Sequence, residues 1–174
     1  MNEFIPALAK HYTTSFKGWQ VLHIAGSGHS SAVTDCWSSI DVPCQVIGFE
    51  QNMGLAWGVA DFAITRGGAN TVAELAINAI PAVVLPYPYH RDDHQRTNAL
   101  PLQLIGGILI EKDYVQTDLN IEHSGVSIIE LLRSHRKRFE MQQALASQLP
   151  SNGAIEIAHA CVACIESRLS ARNR

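Results

Sequence analysis

Short apolar runs alternate with longer segments of helical spacing along the first 110 residues of the chain. The apolar runs lie at residues 19–26, 43–49, 61–65, 81–86 and 107–110. They are largely continuous and do not alternate with polar residues, which is typical of parallel strands buried on both faces. The segments between them predict helices at residues 3–16, 30–39, 52–59, 70–78 and 92–104. This order predicts an α/β protein with a doubly wound parallel sheet flanked by helices.

Beyond Asp118 the pattern predicts helices alone. Segments near 124–134 and 137–147, and a last one after Ser151, have helical spacing. The chain has no internal repeat and no linker rich in glycine and serine. We therefore expect residues 1–174 to form one domain, with a helical portion from about residue 120.

Composition excludes several classes of protein. The chain is 47% hydrophobic and 17% charged, and its net charge is −3, which argues against a protein that binds nucleic acid through bulk positive charge. No apolar run approaches the roughly 20 residues of a membrane helix, and the first residues do not have the pattern of a signal peptide. We expect a cytoplasmic protein without a transmembrane segment.

The cysteines give only a weak signal. Cys161 and Cys164 have the C-x-x-C spacing, but the chain has no second pair of this kind and no histidines at finger-like spacing. We interpret the two residues as core packing on a helix, with reduced thiols.

The candidate chemistry lies in the loops that follow the strands, because ligands of an open parallel sheet bind beyond the carboxyl ends of its strands. The first loop, 26–31, lacks the third glycine of a dinucleotide fingerprint, and the chain has no Walker A motif. After the third strand, Gly67 and Gly68 immediately precede a predicted helix. Backbone N–H groups and the positive end of the helix dipole at such a place favour a phosphate.

Two interpretations of this helix start remain open from the residues alone. Thr71 could offer a hydroxyl to a phosphate, and Glu74 could accept hydrogen bonds from a ribose diol. Alternatively, Asn70 only caps the helix and Glu74 is an acidic residue stabilised by the dipole.

The loop after the fourth strand is too polar for a simple connection. His94, Gln95 and Asn98 lie within about one turn of the next predicted helix, where amide and imidazole groups can bind sugar hydroxyls. A metal site at His90, Asp92 and His94 is the alternative, but no partner for such ligands can be identified, and we predict no metal.

Several linked motifs together resemble one family. They are Arg66–Leu75, Pro81–Pro88, Asp92–Gln95 and Asn98–Ala99. At this spacing they resemble the C-terminal, donor-binding half of the MurG family, bacterial transferases that move N-acetylglucosamine from UDP-N-acetylglucosamine to a lipid-linked muramyl pentapeptide (lipid I to lipid II). The resemblance implies a Rossmann-like domain of GT-B architecture and an inverting transferase that needs no metal or other cofactor.

The resemblance also implies a set of donor-binding residues. They are Phe49, Glu50, Gly68, Ala69, Asn70, Thr71, Glu74, His94, Gln95 and Asn98. The first two would lie beside the uracil, and the four at the helix start would cradle the diphosphate. Glu74 would bind the ribose hydroxyls, and the last three would face or support the sugar. No catalytic residue of this chain is implied, because the acceptor half carries the general base.

The chain departs from the family pattern in ways that leave alternatives open. It lacks the first strand of the donor half, the glycine loop that follows that strand, and the acceptor domain. Either another chain fills the place of the strand, or the sheet is smaller. The chain would then be the donor-binding part of a transferase, either a fragment of one or the donor subunit of a split enzyme. The alternatives are a stand-alone UDP-sugar binding module and a degenerate remnant; a UDP-sugar epimerase fits the 92–98 sequence less well.

The expected partners are UDP-N-acetylglucosamine, a lipid-linked acceptor, and a chain or domain that supplies the acceptor half. The basic cluster at 133–138 is either a solvated helix end or a contact with anionic lipid at the inner face of the plasma membrane.

Overall fold

The computed structural model describes residues 1–89, 92–147 and 153–172, and the side chains of these residues up to 167. The described strands are β1 (Val21–Ile24), β2 (Cys44–Ile47), β3 (Ala63–Thr65), β4 (Ala82–Val84) and β5 (Ile108–Ile110). The described α-helices are α1 (Phe4–His11), α2 (Ser30–Trp37), α3 (Met53–Val59), α4 (Ala69–Ile77), α5 (His94–Leu104), α6 (Thr117–Leu119), α7 (Gly125–Arg133), α8 (His135–Ala146) and α9 (Gly153–Arg172).

These elements confirm the predicted alternation of strands and helices and the helical C-terminal portion. The first predicted helix is divided, because α1 ends at His11 and a short 3₁₀ helix follows at Thr13–Phe16. A π-helical turn at Asn120–Ser124 connects α6 to α7.

The strands form two parallel sheets. One sheet pairs β1 with β2, and the other has the order β3-β4-β5. The predicted α/β class, with parallel strands flanked by helices, is confirmed. The strands β1 and β3 do not pair with each other, which agrees with the expectation that the first strand of the family's donor half is missing from this chain.

Strand β4 explains why the apolar runs are continuous. Val83 and Leu85 lie in a core formed with α1 and α7, while Ala82 and Val84 lie in a second core with α4 and β5. Every residue of β4 is buried, so neither face of the strand tolerates a polar position. The two cores hold the carboxyl ends of β3, β4 and β5 together at one edge of the sheet.

A buried polar network ties β1 to α2 and to the first residues of the chain. The Trp37 indole Nε1 donates to His23 Nδ1 at 3.1 Å, and His23 Nε2 lies 3.1 Å from Asn2 Oδ1. The Asn2 amide nitrogen in turn donates to the Ala25 carbonyl at 2.9 Å. Because Nδ1 accepts, the neutral ring carries its proton on Nε2 and donates it to Asn2. Burial, and then the positive α-amino group of Met1, lower the pKa of His23.

The free energy of unfolding is expected to rise with pH until about pH 6.5, the ordinary pKa of a histidine in an unfolded chain. Below that pH the unfolded state takes up a proton at His23 more readily than the folded state does, so stability falls as the pH approaches the lowered pKa. Urea titrations between pH 5 and pH 7 test this. In His23→Gln the slope should be smaller, whereas the same change at the exposed His159 should leave it unaltered. Equal slopes for wild type and His23→Gln would contradict the assignment.

The helices after residue 120 have two different environments. Helices α7 and α8 pack on the sheet through buried apolar residues, including Ile128, Leu131 and Met141. In α9 every described side chain is exposed, Cys161 and Cys164 included, so the prediction that these cysteines pack in the core is wrong. The reason is that α9 lies against no core cluster of the described residues.

Two arginines of the basic cluster at 133–138 make contacts inside the domain. Arg133 Nε donates to Ser15 Oγ at 3.0 Å, and the Arg138 guanidinium lies 4.7 Å from the centre of the Trp19 ring. These contacts join α7 and α8 to the segment that leads into β1. Among the described residues, no helix combines the length and the apolar character that a membrane span requires.

Candidate functional site

The candidate site lies at the carboxyl edge of the parallel strands, where the loops after β2, β3 and β4 emerge. The loop after β3 leads directly into α4, and Gly68 has the extended backbone of an N-cap (φ −62°, ψ 143°). No described side chain caps this helix. The helix begins at Ala69, so Asn70 is its second residue and the alternative that Asn70 caps the helix is wrong. The backbone N–H groups of the first turn are therefore available to an anion.

The loops after β3 and β4 are locked together by Gly67. A Cβ atom on Gly67 would lie 2.1 Å from the Gln95 carbonyl oxygen, so only glycine allows this approach. The Asn98 side-chain amide donates to the Gly67 carbonyl at 3.1 Å. The segment that leads into α4 is therefore in direct contact with the first turn of α5 through Gly67.

The first turn of α5 begins two residues later than predicted. Asp93 takes a left-handed conformation (φ 47°, ψ 25°), and His94 is the first helical residue. Gln95 Oε1 accepts from the Tyr87 amide at 2.8 Å, so it shapes the loop after β4.

A side-chain hydrogen bond joins the first residue of α5 to the loop before it. His94 Nδ1 lies 2.7 Å from Asp92 Oδ1, and this hydrogen bond lowers the pKa of Asp92. His90, the third residue of the metal alternative, lies outside the described residues. Within the described part of the chain, no three His, Cys, Asp or Glu side chains come together as a metal site would require.

Glu74 is held by a residue that the sequence analysis did not assign to the site. The Trp57 indole Nε1 donates to Glu74 Oε2 at 2.9 Å, and Trp57 itself is only 9% exposed. This bond fixes the direction of the carboxylate, one turn beyond the open start of α4. The spacing along the chain gives no signal for this pair, because α3 and α4 meet only in the folded domain.

Phe49 and Glu50 follow β2 and lie beside the start of α3. The Phe49 side chain is 71% exposed, and Glu50 Oε1 accepts from the Asn52 amide at 2.7 Å. Because α3 also carries Trp57, this loop is connected through one short helix to Glu74. The structure therefore links the predicted residues of all three loops through direct contacts or through α3.

A buried ion pair that the sequence did not indicate joins the carboxyl ends of β3, β4 and β5. Arg66 Nη1 lies 2.6 Å from Asp113 Oδ2 and also donates to the Leu85 carbonyl at 2.8 Å. Burial would raise the pKa of Asp113, but hydrogen bonds from Asn120, Val115 and Arg66 outweigh it, and the pKa lies below its ordinary value. The pair supports the loop that carries Gly67 and Gly68.

Asp113→Asn is expected to lower the free energy of unfolding by about 2 kcal/mol, because it leaves the half-buried Arg66 without its counter-charge. Urea denaturation at pH 7 measures the change. Asp41→Asn, at an exposed position, serves as the matched control and should change stability by less than about 0.5 kcal/mol. If the two variants are equally stable, the pair does not support the fold.

Comparison with known proteins agrees with this geometry. The family model described as "Glycosyltransferase family 28 C-terminal domain" matches residues 1–156. Three bacterial relatives are named UDP-N-acetylglucosamine--N-acetylmuramyl-(pentapeptide) pyrophosphoryl-undecaprenol N-acetylglucosamine transferase. The one from Hahella chejuensis is 31% identical over 82% of this chain and 39% of its own length. The one from Saccharophagus degradans is 31% identical over 92% of this chain and 40% of its own length. The one from Methylococcus capsulatus is 34% identical over 82% of this chain and 39% of its own length.

A solved structure of a MurG protein is similar to this chain in fold. The crystal structure of Acinetobacter baumannii MurG superposes with a TM-score of 0.78 at 25% identity, over 91% of this chain and 44% of that chain. The GT-B fold class expected from the sequence is thereby confirmed. The chain spans about two fifths of the length of the curated relatives that it matches. On the match to residues 1–156, the chain belongs to the family of the glycosyltransferase family 28 C-terminal domain.

Proposed function

We propose that this chain binds UDP-N-acetylglucosamine and forms the donor-binding part of an inverting glycosyltransferase. The proposed reaction transfers N-acetylglucosamine to a lipid-linked muramyl pentapeptide, the conversion of lipid I to lipid II. The observation that carries the proposal is the open start of α4 beside Glu74, whose carboxylate is fixed by Trp57. Family membership and the names of the relatives support the same substrate.

The start of α4 suits a leaving diphosphate. Gly68, Ala69, Asn70 and Thr71 would bring backbone N–H groups and one hydroxyl to the phosphate oxygens. As the bond to the anomeric carbon breaks, negative charge grows on UDP, and fixed N–H groups at the positive end of a helix dipole stabilise that charge. This stabilisation needs no reorganisation, since Gly67 already holds the loop against α5.

The other predicted residues would bind the two ends of the donor. Glu74 would accept hydrogen bonds from the ribose hydroxyls, and the exposed ring of Phe49 with the neighbouring Glu50 would lie beside the uracil. His94 and Gln95, supported by Asn98, would face the sugar hydroxyls from the first turn of α5. We assign no catalytic base to this chain, because each of these groups belongs to donor recognition.

The acceptor half would come from outside residues 1–174. We propose that another domain or chain supplies the acceptor site and the general base, and that the whole enzyme works at the cytoplasmic face of the plasma membrane, where its lipid-linked acceptor lies.

Calorimetric titration of the chain with UDP, UDP-N-acetylglucosamine and GDP tests the proposal. Heat from both uridine nucleotides and none from GDP is the expected result. A folded chain that gives no heat with either uridine nucleotide would refute donor binding and favour a degenerate remnant. Binding followed by no transfer in the presence of every candidate partner would favour the stand-alone module.

A further inference from the structure

A cavity lies at the carboxyl edge of β3, β4 and β5, beside the segment that leads into α4. Its volume is about 440 Å³, within the range of roughly 300–1,000 Å³ that is usual for ligand pockets. Its lining includes Arg66 after β3, Tyr87 and Tyr89 after β4, and Val115 after β5. None of the described residues that line it belongs to the proposed donor-binding set. We call this space the tyrosine cavity.

Two tyrosines form the aromatic part of the lining. The rings of Tyr87 and Tyr89 meet edge to face with centres 5.5 Å apart, and Tyr89 is 67% exposed. The Arg66 guanidinium lies 5.6 Å from the centre of the Tyr87 ring, as in a cation–π contact. Tyr87 is therefore held between two neighbours, whereas Tyr89 presents most of its ring at the surface of the cavity.

A buried polar network holds the wall that carries Val115. The carboxylate of Asp113, which pairs with Arg66, accepts from the Val115 amide at 2.8 Å. The same oxygen accepts from the Asn120 side chain at 2.9 Å. These bonds keep Val115 in the left-handed region (φ 68°), which a β-branched residue rarely adopts. Strain of this kind persists only where the surrounding structure imposes it, and it clusters at ligand sites.

The charges of the lining favour a neutral ligand. The described side chains around the cavity carry one positive charge, on Arg66, and two negative charges, on Glu3 and Asp113. Because Asp113 already pairs with Arg66 at 2.6 Å, a phosphate or carboxylate would meet a net negative wall. A neutral sugar ring avoids this repulsion. Its C–H face can pack on an aromatic ring, while its hydroxyls reach polar groups such as the Thr117 side chain.

The tyrosine cavity adjoins the place proposed for the donor sugar. The Tyr87 amide donates to Gln95 Oε1 at 2.8 Å, and Gln95 is proposed to face the sugar hydroxyls. Arg66 directly precedes Gly67 and the start of α4. A second sugar bound in the cavity would therefore lie beside the first, as two sugars that a transferase joins must do.

We propose that Tyr89 is a stacking platform for the sugar ring of the acceptor, an uncharged N-acetylated hexosamine, and that Tyr87 is the residue that positions it. The identity of this sugar as the acceptor rests on the proposed function. The donor-binding part of the enzyme would then take part in the recognition of both substrates.

Titration with methyl N-acetyl-β-glucosaminide, followed by NMR of the tyrosine rings, tests the proposal. Saturating UDP-N-acetylglucosamine is present, so that the glycoside cannot occupy the place of the donor sugar. We expect the ring signals of Tyr87 and Tyr89 to shift along one saturation curve, with a dissociation constant in roughly the millimolar range. The signals of Tyr12, which does not line the cavity, should stay unchanged.

Substitutions at Tyr89, followed on the Tyr87 signals, show whether the ring carries the binding. Tyr89→Phe keeps the ring and should bind the glycoside about as wild type does. Tyr89→Leu keeps an apolar side chain without a flat face and should bind roughly tenfold more weakly. Phe139→Leu removes an exposed ring from α8 and is the matched control, which should bind as wild type does.

The positioning role of Tyr87 has its own test, followed on the Tyr89 signals. Tyr87→Leu should weaken the binding of the glycoside, and Tyr87→Phe should restore it, because both the edge-to-face contact and the cation–π contact need only a ring. Equal affinities of these two variants would remove Tyr87 from the proposal.

Two results would overturn the platform itself. One is the absence of shifts at both tyrosines, and the other is wild-type affinity in Tyr89→Leu. The charge of the ligand is tested with N-acetylglucosamine 6-phosphate, which should bind more weakly than N-acetylglucosamine. Tighter binding of the phosphate would overturn the assignment of a neutral sugar.

Calorimetric titration of the same samples with UDP separates this proposal from the function. Tyrosine shifts without any heat from UDP would leave the sugar platform assigned, and they would refute the donor site together with the acceptor role of the sugar. Heat from UDP without tyrosine shifts would refute the platform alone.

Discussion

Replacing Glu74 with alanine is expected to weaken the binding of UDP and of UDP-N-acetylglucosamine by roughly 10- to 100-fold. A hydrogen bond between a hydroxyl and a carboxylate contributes about 1.5–3 kcal/mol, which corresponds to this range. The carboxylate is held in place by Trp57 before any ligand arrives, so little ordering opposes binding. Calorimetric titration of wild type and variant under the same salt conditions measures the ratio of the dissociation constants.

Two further variants show whether the loss of ligand affinity is caused by removal of the Glu74 carboxylate. Glu156→Ala removes an exposed carboxylate from α9 and should bind both ligands as wild type does. Trp57→Phe keeps the packing but removes the N–H donor, and it should weaken binding by a smaller factor, since the carboxylate remains but is no longer oriented. A folded Glu74→Ala protein with wild-type affinity would remove Glu74 from the donor site.

The alternation of elements could be predicted because each strand and helix is specified by local sequence. Strand β4 illustrates this: an apolar run between Pro81 and Pro86 is short, continuous and buried on both faces. How the strands assemble could not be predicted in the same way. The five apolar runs alone do not show which strands pair, so the division into a β1-β2 sheet and a β3-β4-β5 sheet could not be predicted from them.

Part of the candidate site could likewise be predicted from local sequence, and part of it could not. The open start of α4 could be predicted from Gly67 and Gly68 before a helix, because a phosphate site of this kind is built from backbone groups. The roles of Trp57 and Asp113 could not be predicted, because each acts through a residue that is distant along the chain. Trp57 lies 17 residues from Glu74, and Asp113 lies 47 residues from Arg66. Long-range contacts of single side chains leave no periodic signal, and the resemblance to a family assigned neither residue a role.

Gly67→Ala is expected to reduce both stability and donor binding. A Cβ atom at this position would lie 2.1 Å from a backbone oxygen of α5, and a backbone atom cannot move aside as a flexible side chain does. We expect the free energy of unfolding to fall by about 3 kcal/mol, as in overpacked cores. Urea denaturation measures this loss, and titration of the folded fraction measures the effect on the ligand.

Two comparisons make the test of Gly67→Ala specific: UDP-N-acetylglucosamine against UDP as the ligand, and a control substitution at a second glycine. The clash pushes the first turn of α5 away from the start of α4, so UDP-N-acetylglucosamine should lose more affinity than UDP, because His94 and Gln95 are proposed to face the sugar. Gly58→Ala on α3 is the matched control: an added Cβ meets no atom within 4 Å, and stability should stay the same or rise by up to about 1 kcal/mol. Equal stability of Gly67→Ala and wild type would mean that the two loops separate without cost, and that their contact does not position the sugar-binding residues.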